Sequence, residues 1–314
     1  MLLSWFITAL AVTGPIYLWL LGGVMLRRLG LIGDDLVNLA AQFSYRMAMP
    51  LVLFFGASQV DYSNVLNSRY LIAGVIATIT VSVLADVWGR LRAFEPAMRA
   101  IFVQGSFRSN LGIVGIALAA SAYGDAGLAL AALPVAILTI LYNIIAVWVL
   151  DSGHGHSTRV PVVIFRMASN PLIVGISAGV VVSVLGVDLG TRAYRLGDWF
   201  STAALPLALI TIGASLSLKS LRASQALAVD TMLWRHLISP AFTMLLALWM
   251  GIYGPELGVL FLLFSSPIAA ASFVMVVAVG GNGAVAANLI VLSTLVSGVT
   301  TTLGFALLNY FGLV

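Results

Sequence analysis

Apolar runs long enough to form a bilayer-spanning helix recur along this chain, and the short breaks between them carry most of its charges. A hydrocarbon core roughly 30 Å thick takes about 20 helical residues per crossing. Ten stretches meet that length: 2–25, 36–58, 70–89, 97–123, 128–150, 171–188, 197–218, 227–252, 256–280 and 284–311. Each is continuously apolar rather than alternating, so the pattern predicts helices and excludes a transmembrane barrel, whose strands alternate with a period of two. The expected fold class is an all-α integral membrane protein with ten transmembrane helices. Composition agrees, since 61% of the 314 residues are hydrophobic and only 8% are charged. The first stretch lacks the basic start and small-residue cleavage pattern of a signal peptide, so it is expected to remain as a helix.

Where the charges fall sets the expected orientation. The breaks after stretches 1, 3, 5, 7 and 9 hold Arg27, Arg28, Arg90, Arg92, Arg99, Arg159, Arg166, Lys219, Arg222 and Arg235, against Arg69, Arg192 and Arg195 in the alternate set. Basic residues accumulate on the cytoplasmic side, so both termini are predicted to lie outside a cytoplasmic (inner) membrane crossed many times. This alternation follows the lipid bilayer, and nucleic acid is excluded as a partner. With no cysteine in the chain, thiol chemistry and thiolate metal sites are also excluded. His154 and His156 form an H-x-H pair in a polar break with too few neighbouring ligands for a metal. Neither a nucleophile with its base nor converging acids can be found, so no enzyme and no cofactor are expected.

The chain also repeats itself. An offset of 156 residues lays Pro15 on Pro171, Gly23 on Gly179, Gly30 on Gly186, Pro50 on Pro206, Gly124 on Gly280 and Gly127 on Gly283. The string "AYGDAGLALAALPV" falls on "AVGGNGAVAANLIV" at the same offset. The expected organisation is a first five-helix repeat over 1–152, a cytoplasmic linker over 153–168 and a second repeat over 169–314. Five crossings is an odd number, so the second repeat must enter the membrane inverted. Inverted repeats are a device of secondary transporters, with the substrate near the midplane at interrupted helices.

The fourth and ninth stretches carry the signs of interruption. The fourth holds Gln104, Gly105, Arg108, Ser109, Asn110, Gly112 and Gly115 at mid-depth, and the ninth holds Ser265, Ser266 and Pro267. Glycine weakens a helical ladder and proline removes one of its hydrogen bonds, so Gly105, Gly112, Gly115 and Pro267 are the expected hinges. Broken helices point N–H groups into the bilayer centre, where an anion is favoured. Asn110, Ser109, Ser265, Ser266 and Gln104 can add side-chain donors. Arg108 at a helix centre costs roughly 2.5–3.5 kcal/mol on insertion scales, so it must meet either a substrate anion or carbonyls released by the break. Arg46, four residues before Pro50, raises the same question, and Asn143 either lines the cavity or joins two helices. Two central arginines without a central acid point to an anionic substrate. Asp86, one turn before Arg90, is expected to form an interfacial ion pair, with proton coupling as its other reading.

The chain resembles the auxin efflux carrier family, which includes bacterial malonate and malate permeases. "SNLGIVGIAL" is similar to the family's first crossover, "NPLIVGISAGV" to its sixth helix and "LPLALITIGASL" to its seventh. "SSPIAAASFVMVVAVGGNGAVAANLIVLSTLVS" resembles its second crossover and last helix. The resemblance implies ten helices in two inverted repeats, with helices 4 and 9 broken and crossing, an arrangement shared with bile-acid symporters and cation antiporters. It also implies a mobile, elevator-like transport part on a scaffold, a homodimer through that scaffold and an organic anion as substrate. Asn110 matches the crossover asparagine and Pro267 the second crossover proline. Ala117 stands where the family often has proline, which leaves the first break to the glycines. The expected function is therefore secondary or facilitative transport of a small carboxylate by alternating access. The rival is a sodium- or proton-coupled carrier of the bile-acid symporter type.

Overall fold

The computed structural model describes residues 18–19, 21–59, 68–155, 165, 168–216, 222 and 224–314. Most of the first stretch, His156, Arg159, Arg166, Lys219 and most of the expected linker lie outside the described residues. Every regular element among the described residues is a helix. After a helical stretch at 21–28 come α1 (Asp34–Phe43), α2 (Met49–Ser58), α3 (Arg69–Leu91), α4 (Pro96–Phe107), α5 (Ile116–Gly153) and α6 (Pro171–Val184). Then follow α7 (Gly190–Ala214), α8 (Gln225–Leu233), α9 (Ser239–Trp249), α10 (Pro255–Ser265), α11 (Ala271–Ala278) and α12 (Gly283–Tyr310). By length and apolarity, Arg69–Leu91, Leu133–Gly153 and Gly283–Tyr310 can each cross a membrane alone. Large apolar side chains such as Leu91, Leu245 and Trp249 stand on the surface, which suits lipid better than water.

Prolines and glycines divide this apolar sequence into elements. Prolines open α4, α6 and α10 within their first turns, where a missing N–H costs nothing. Ser68 and Asn170 cap α3 and α6 by accepting from Leu71 N–H at 3.4 Å and Leu172 N–H at 3.0 Å. Inside longer helices a proline displaces the carbonyl one turn before it, and the ladder slips to π geometry. Pro50 follows the π turn Ser44–Ala48 between α1 and α2, and Pro240 follows the π turn Trp234–Ile238 between α8 and α9. Gly124, at φ 60° and ψ −141°, breaks the ladder within α5 between the expected fourth and fifth stretches.

The sequence repeat has a counterpart in the packing. Gly23 lies against the backbone of Ile210 in α7, and Gly179 in α6 lies against the backbone of Phe54 in α2. The offset of 156 residues relates both pairs, glycine to glycine and Phe54 to Ile210. It also relates the left-handed glycines Gly30 and Gly186 (φ 73° and 64°) and Gly124 and Gly280 (φ 60° and 78°).

A side chain at position 179 would run into the Phe54 carbonyl rather than into a movable group. Gly179→Val is therefore expected to destabilise the α2–α6 pair by about 1–3 kcal/mol, read as a lower melting temperature in detergent. Gly298→Ala, in α12 with open space around it, is the control and should be neutral or slightly stabilising.

Candidate functional site

Two helices stop at the same place. α4 ends at Phe107, where Arg108 (φ −83°, ψ 91°) and Asn110 (φ −81°, ψ 69°) take up non-helical backbone before the π turn Leu111–Gly115 starts the next helix. α10 ends at Ser265, and Ser266 turns extended (φ −62°, ψ 154°) because Pro267 follows it. The two breaks run antiparallel and share their backbone groups. Asn110 N–H donates to the Pro267 carbonyl at 2.7 Å, and Ala269 N–H donates to the Arg108 carbonyl at 3.2 Å. Ser109 and Ile268 thus form an isolated β-bridge.

The glycines expected as hinges have other positions. None of Gly105, Gly112 and Gly115 adopts a positive φ, and the residues of the first break are Arg108, Ser109 and Asn110. Their backbone is open to any L-residue, so the break needs no glycine. Gly105 and Gly115 instead allow close approach, to the Thr231 methyl and the Leu263 side chain respectively. Gly112 faces open space beside the break. Of the four expected hinges, Pro267 lies at its break.

The carbonyls released by the breaks are held by a residue that sequence reasoning assigned to a loop. Arg235, with no exposed surface, donates through Nη1 to the Phe107 carbonyl at 2.8 Å and the Ser106 carbonyl at 3.3 Å. Its Nη2 donates to the Phe264 carbonyl. Of the two roles open to Arg108, holding released carbonyls is thus performed by Arg235. The signal was present in the sequence, since Arg235 lies well inside the stretch 227–252 and five residues before Pro240. His236, the next residue, is also buried, with Nε2 3.0 Å from Ser293 Oγ. Ser293 Oγ in turn accepts from Ile268 N–H at 2.8 Å, and Thr301 Oγ1 donates to the Ser265 carbonyl at 3.1 Å.

Arg108 turns the other way, toward α5. Its Nη2 donates to Asn143 Oδ1 at 3.0 Å and its Nη1 to the Tyr142 carbonyl at 3.2 Å, while Nε is buried without a partner. Asn143, fully buried, donates to the Thr139 carbonyl at 2.8 Å, and Ser109 Oγ meets Tyr142 Oη at 2.9 Å. Asn143 therefore joins two elements and orients the arginine. Beside them lies a cavity of about 550 Å³, whose polar wall includes Arg108, Ser109, Asn110 and Thr139. It is also lined by apolar residues of α2, α6 and α7, Val52, Ile176 and Gly197 among them, and by Gln59. Asn110 lines this cavity, and its side chain makes no capping bond to the helix it precedes.

Other candidates stand apart from the cavity. Gln104 is buried with Nε2 against Met275 Sδ, and the Ser265 and Ser266 hydroxyls donate back to the carbonyls of Leu262 and Leu263. The two serines therefore serve the end of α10, and Gln104 reaches α11 instead of the open space. Arg46 is exposed in the π turn before Pro50. Asp86 pairs with Arg90 at 2.8 Å, as expected, and also with Arg99 at 3.0 Å, joining α3 to α4. Asp86→Asn breaks both partly exposed pairs and is expected to cost under about 1 kcal/mol, a small fall in melting temperature. A fall several times larger would show that this cluster fixes α4 in place.

Comparison with known proteins gives the family. Residues 12–304 match the family described as membrane transport protein. The chain is 25% identical over 221 residues to a Methanothermobacter thermautotrophicus protein named "Uncharacterized transporter", covering 69% of this chain and 71% of that protein. It is 28% identical over 192 residues to a Rhizobium meliloti protein named "Putative malonate transporter", covering 57% of this chain and 58% of that one. A family match over nearly the whole chain makes this protein a member of the membrane transport protein family, the auxin efflux carrier family that its sequence motifs resemble.

Proposed function

We propose that this transporter carries a small organic anion, a mono- or dicarboxylate, and binds it in the cavity beside the first helix break. One observation carries the reading: Arg108 lines the cavity with its charge held only by neutral groups, the Tyr142 carbonyl and Asn143 Oδ1. No acid lines the cavity among the described residues. A buried cation without a counter-charge favours an anion that can supply one. Asn110 and Ser109 stand on the same wall as further donors, and the volume is ample for a small carboxylate. Malonate is a natural first ligand, since a relative bears that name.

Movement in this reading is alternating access by two inverted repeats in the cytoplasmic membrane. The reciprocal packing of Gly23 on Ile210 and Gly179 on Phe54, and the matched left-handed glycines, support a two-fold relation between the halves. Cation-coupled symport is the alternative, and its mark would be stabilisation by sodium or by pH without any anion.

Thermal stabilisation by malonate, succinate and a neutral diamide measures the site directly. Malonate or succinate is expected to raise the melting temperature of the wild type, and the diamide to leave it unchanged. Arg108→Gln and Asn110→Ala should each weaken binding by about tenfold or more, the loss of one charged or neutral donor. Protection of both variants equal to that of the wild type would refute the assignment.

Asn143→Asp separates charge from shape. It keeps a partner for Arg108 while neutralising the guanidinium, so the protein should fold and its carboxylate affinity should fall about tenfold or more. Undiminished binding in that variant would mean that Arg108 does not attract the substrate.

A further inference from the structure

The oxygens that hold Arg235 make up a cluster suited to a small cation. α4 and α10 both end there, and each helix C-terminus carries roughly half a negative charge, so the pair presents about one. Backbone carbonyls at the ends of interrupted helices are the groups that coordinate coupling sodium ions in membrane carriers. Here the Ser106, Phe107 and Phe264 carbonyls all accept from one guanidinium. Among the described residues no carboxylate pairs with Arg235, and Asp230 on the preceding turn pairs with Arg92 at 2.7 Å. The positive charge is thus matched by helix ends alone.

We propose that Arg235 is a built-in substitute for a coupling cation, so that the transport cycle proceeds without sodium at the crossing of the two breaks. An ion can leave between half-cycles, whereas a guanidinium fixed to the π turn between α8 and α9 cannot. The charge at the crossing then stays constant through the cycle. The proposal rests on the reading of the chain as an alternating-access carrier, but the residue lies outside the cavity assigned to the anion.

The test uses purified full-length protein without carboxylate, melted in choline, sodium or potassium chloride at equal ionic strength. A failure of the anion reading therefore leaves its outcome intact. The wild type is expected to melt at the same temperature in all three salts. Arg235→Ala should melt lower by about 5 °C or more in choline, and sodium or methylguanidinium should restore at least half of that loss with saturation. Saturable stabilisation of the wild type by sodium would overturn the proposal, as would a folded Arg235→Ala that no small cation rescues. If Arg235→Ala does not fold, the wild type and Arg235→Lys decide: no sodium response in either supports the proposal, and a response in either overturns it.

Discussion

A helix that stops inside a bilayer leaves donors and acceptors that lipid cannot satisfy, each costing several kcal/mol. In this protein two helices stop together and each supplies what the other lacks. Asn110 N–H reaches the Pro267 carbonyl and Ala269 N–H reaches the Arg108 carbonyl. What the backbone cannot pair, side chains from neighbouring helices do: Thr301 and Arg235 for carbonyls, Ser293 for the Ile268 N–H. Burying a guanidinium costs several kcal/mol, and the cost is offset only when its donors find acceptors of good geometry. The three carbonyls at the crossing supply acceptors for both terminal nitrogens of Arg235, while its Nε is buried without a partner.

The two buried arginines divide the work. Arg235 is surrounded by the ends of α4 and α10 and holds the crossing closed. Arg108 leaves the crossing and leans on Asn143 and the Tyr142 carbonyl at the edge of the cavity. Among the described residues neither has a carboxylate partner. Arg108 is left with neutral partners, whereas the charge of Arg235 meets the ends of α4 and α10.

Much of this was legible in the sequence because the breaks are written in residue types. Pro267 marked the second break, and the arginine and asparagine at 108 and 110 marked the first. The offset at which the glycines repeat also relates the contacts of Gly23 and Gly179. Arg235 was missed because the count of basic residues assigned it to a loop. A proline inside an apolar run carries a local signal for a slipped turn, but which side chains that turn presents to a distant helix end depends on tertiary packing. The glycines at 105 and 115 misled for a related reason: close approach and bending ask for the same residue, and only the partner's position tells them apart.

The strength of the contacts decides which part of the structure can give. At the crossing, α4 and α10 are joined by backbone hydrogen bonds and a charged clamp, all buried, and separating them would expose several groups at once. Around the cavity Val52, Ile176 and Gly197 add mainly apolar surface, with Gln59 as the polar exception. Sliding along an apolar seam exchanges one set of weak contacts for another, with no orphaned donor or acceptor. If the chain moves its substrate by alternating access, the seam is therefore where it yields, and the two breaks travel together as one unit with Arg108, Asn110 and their ligand.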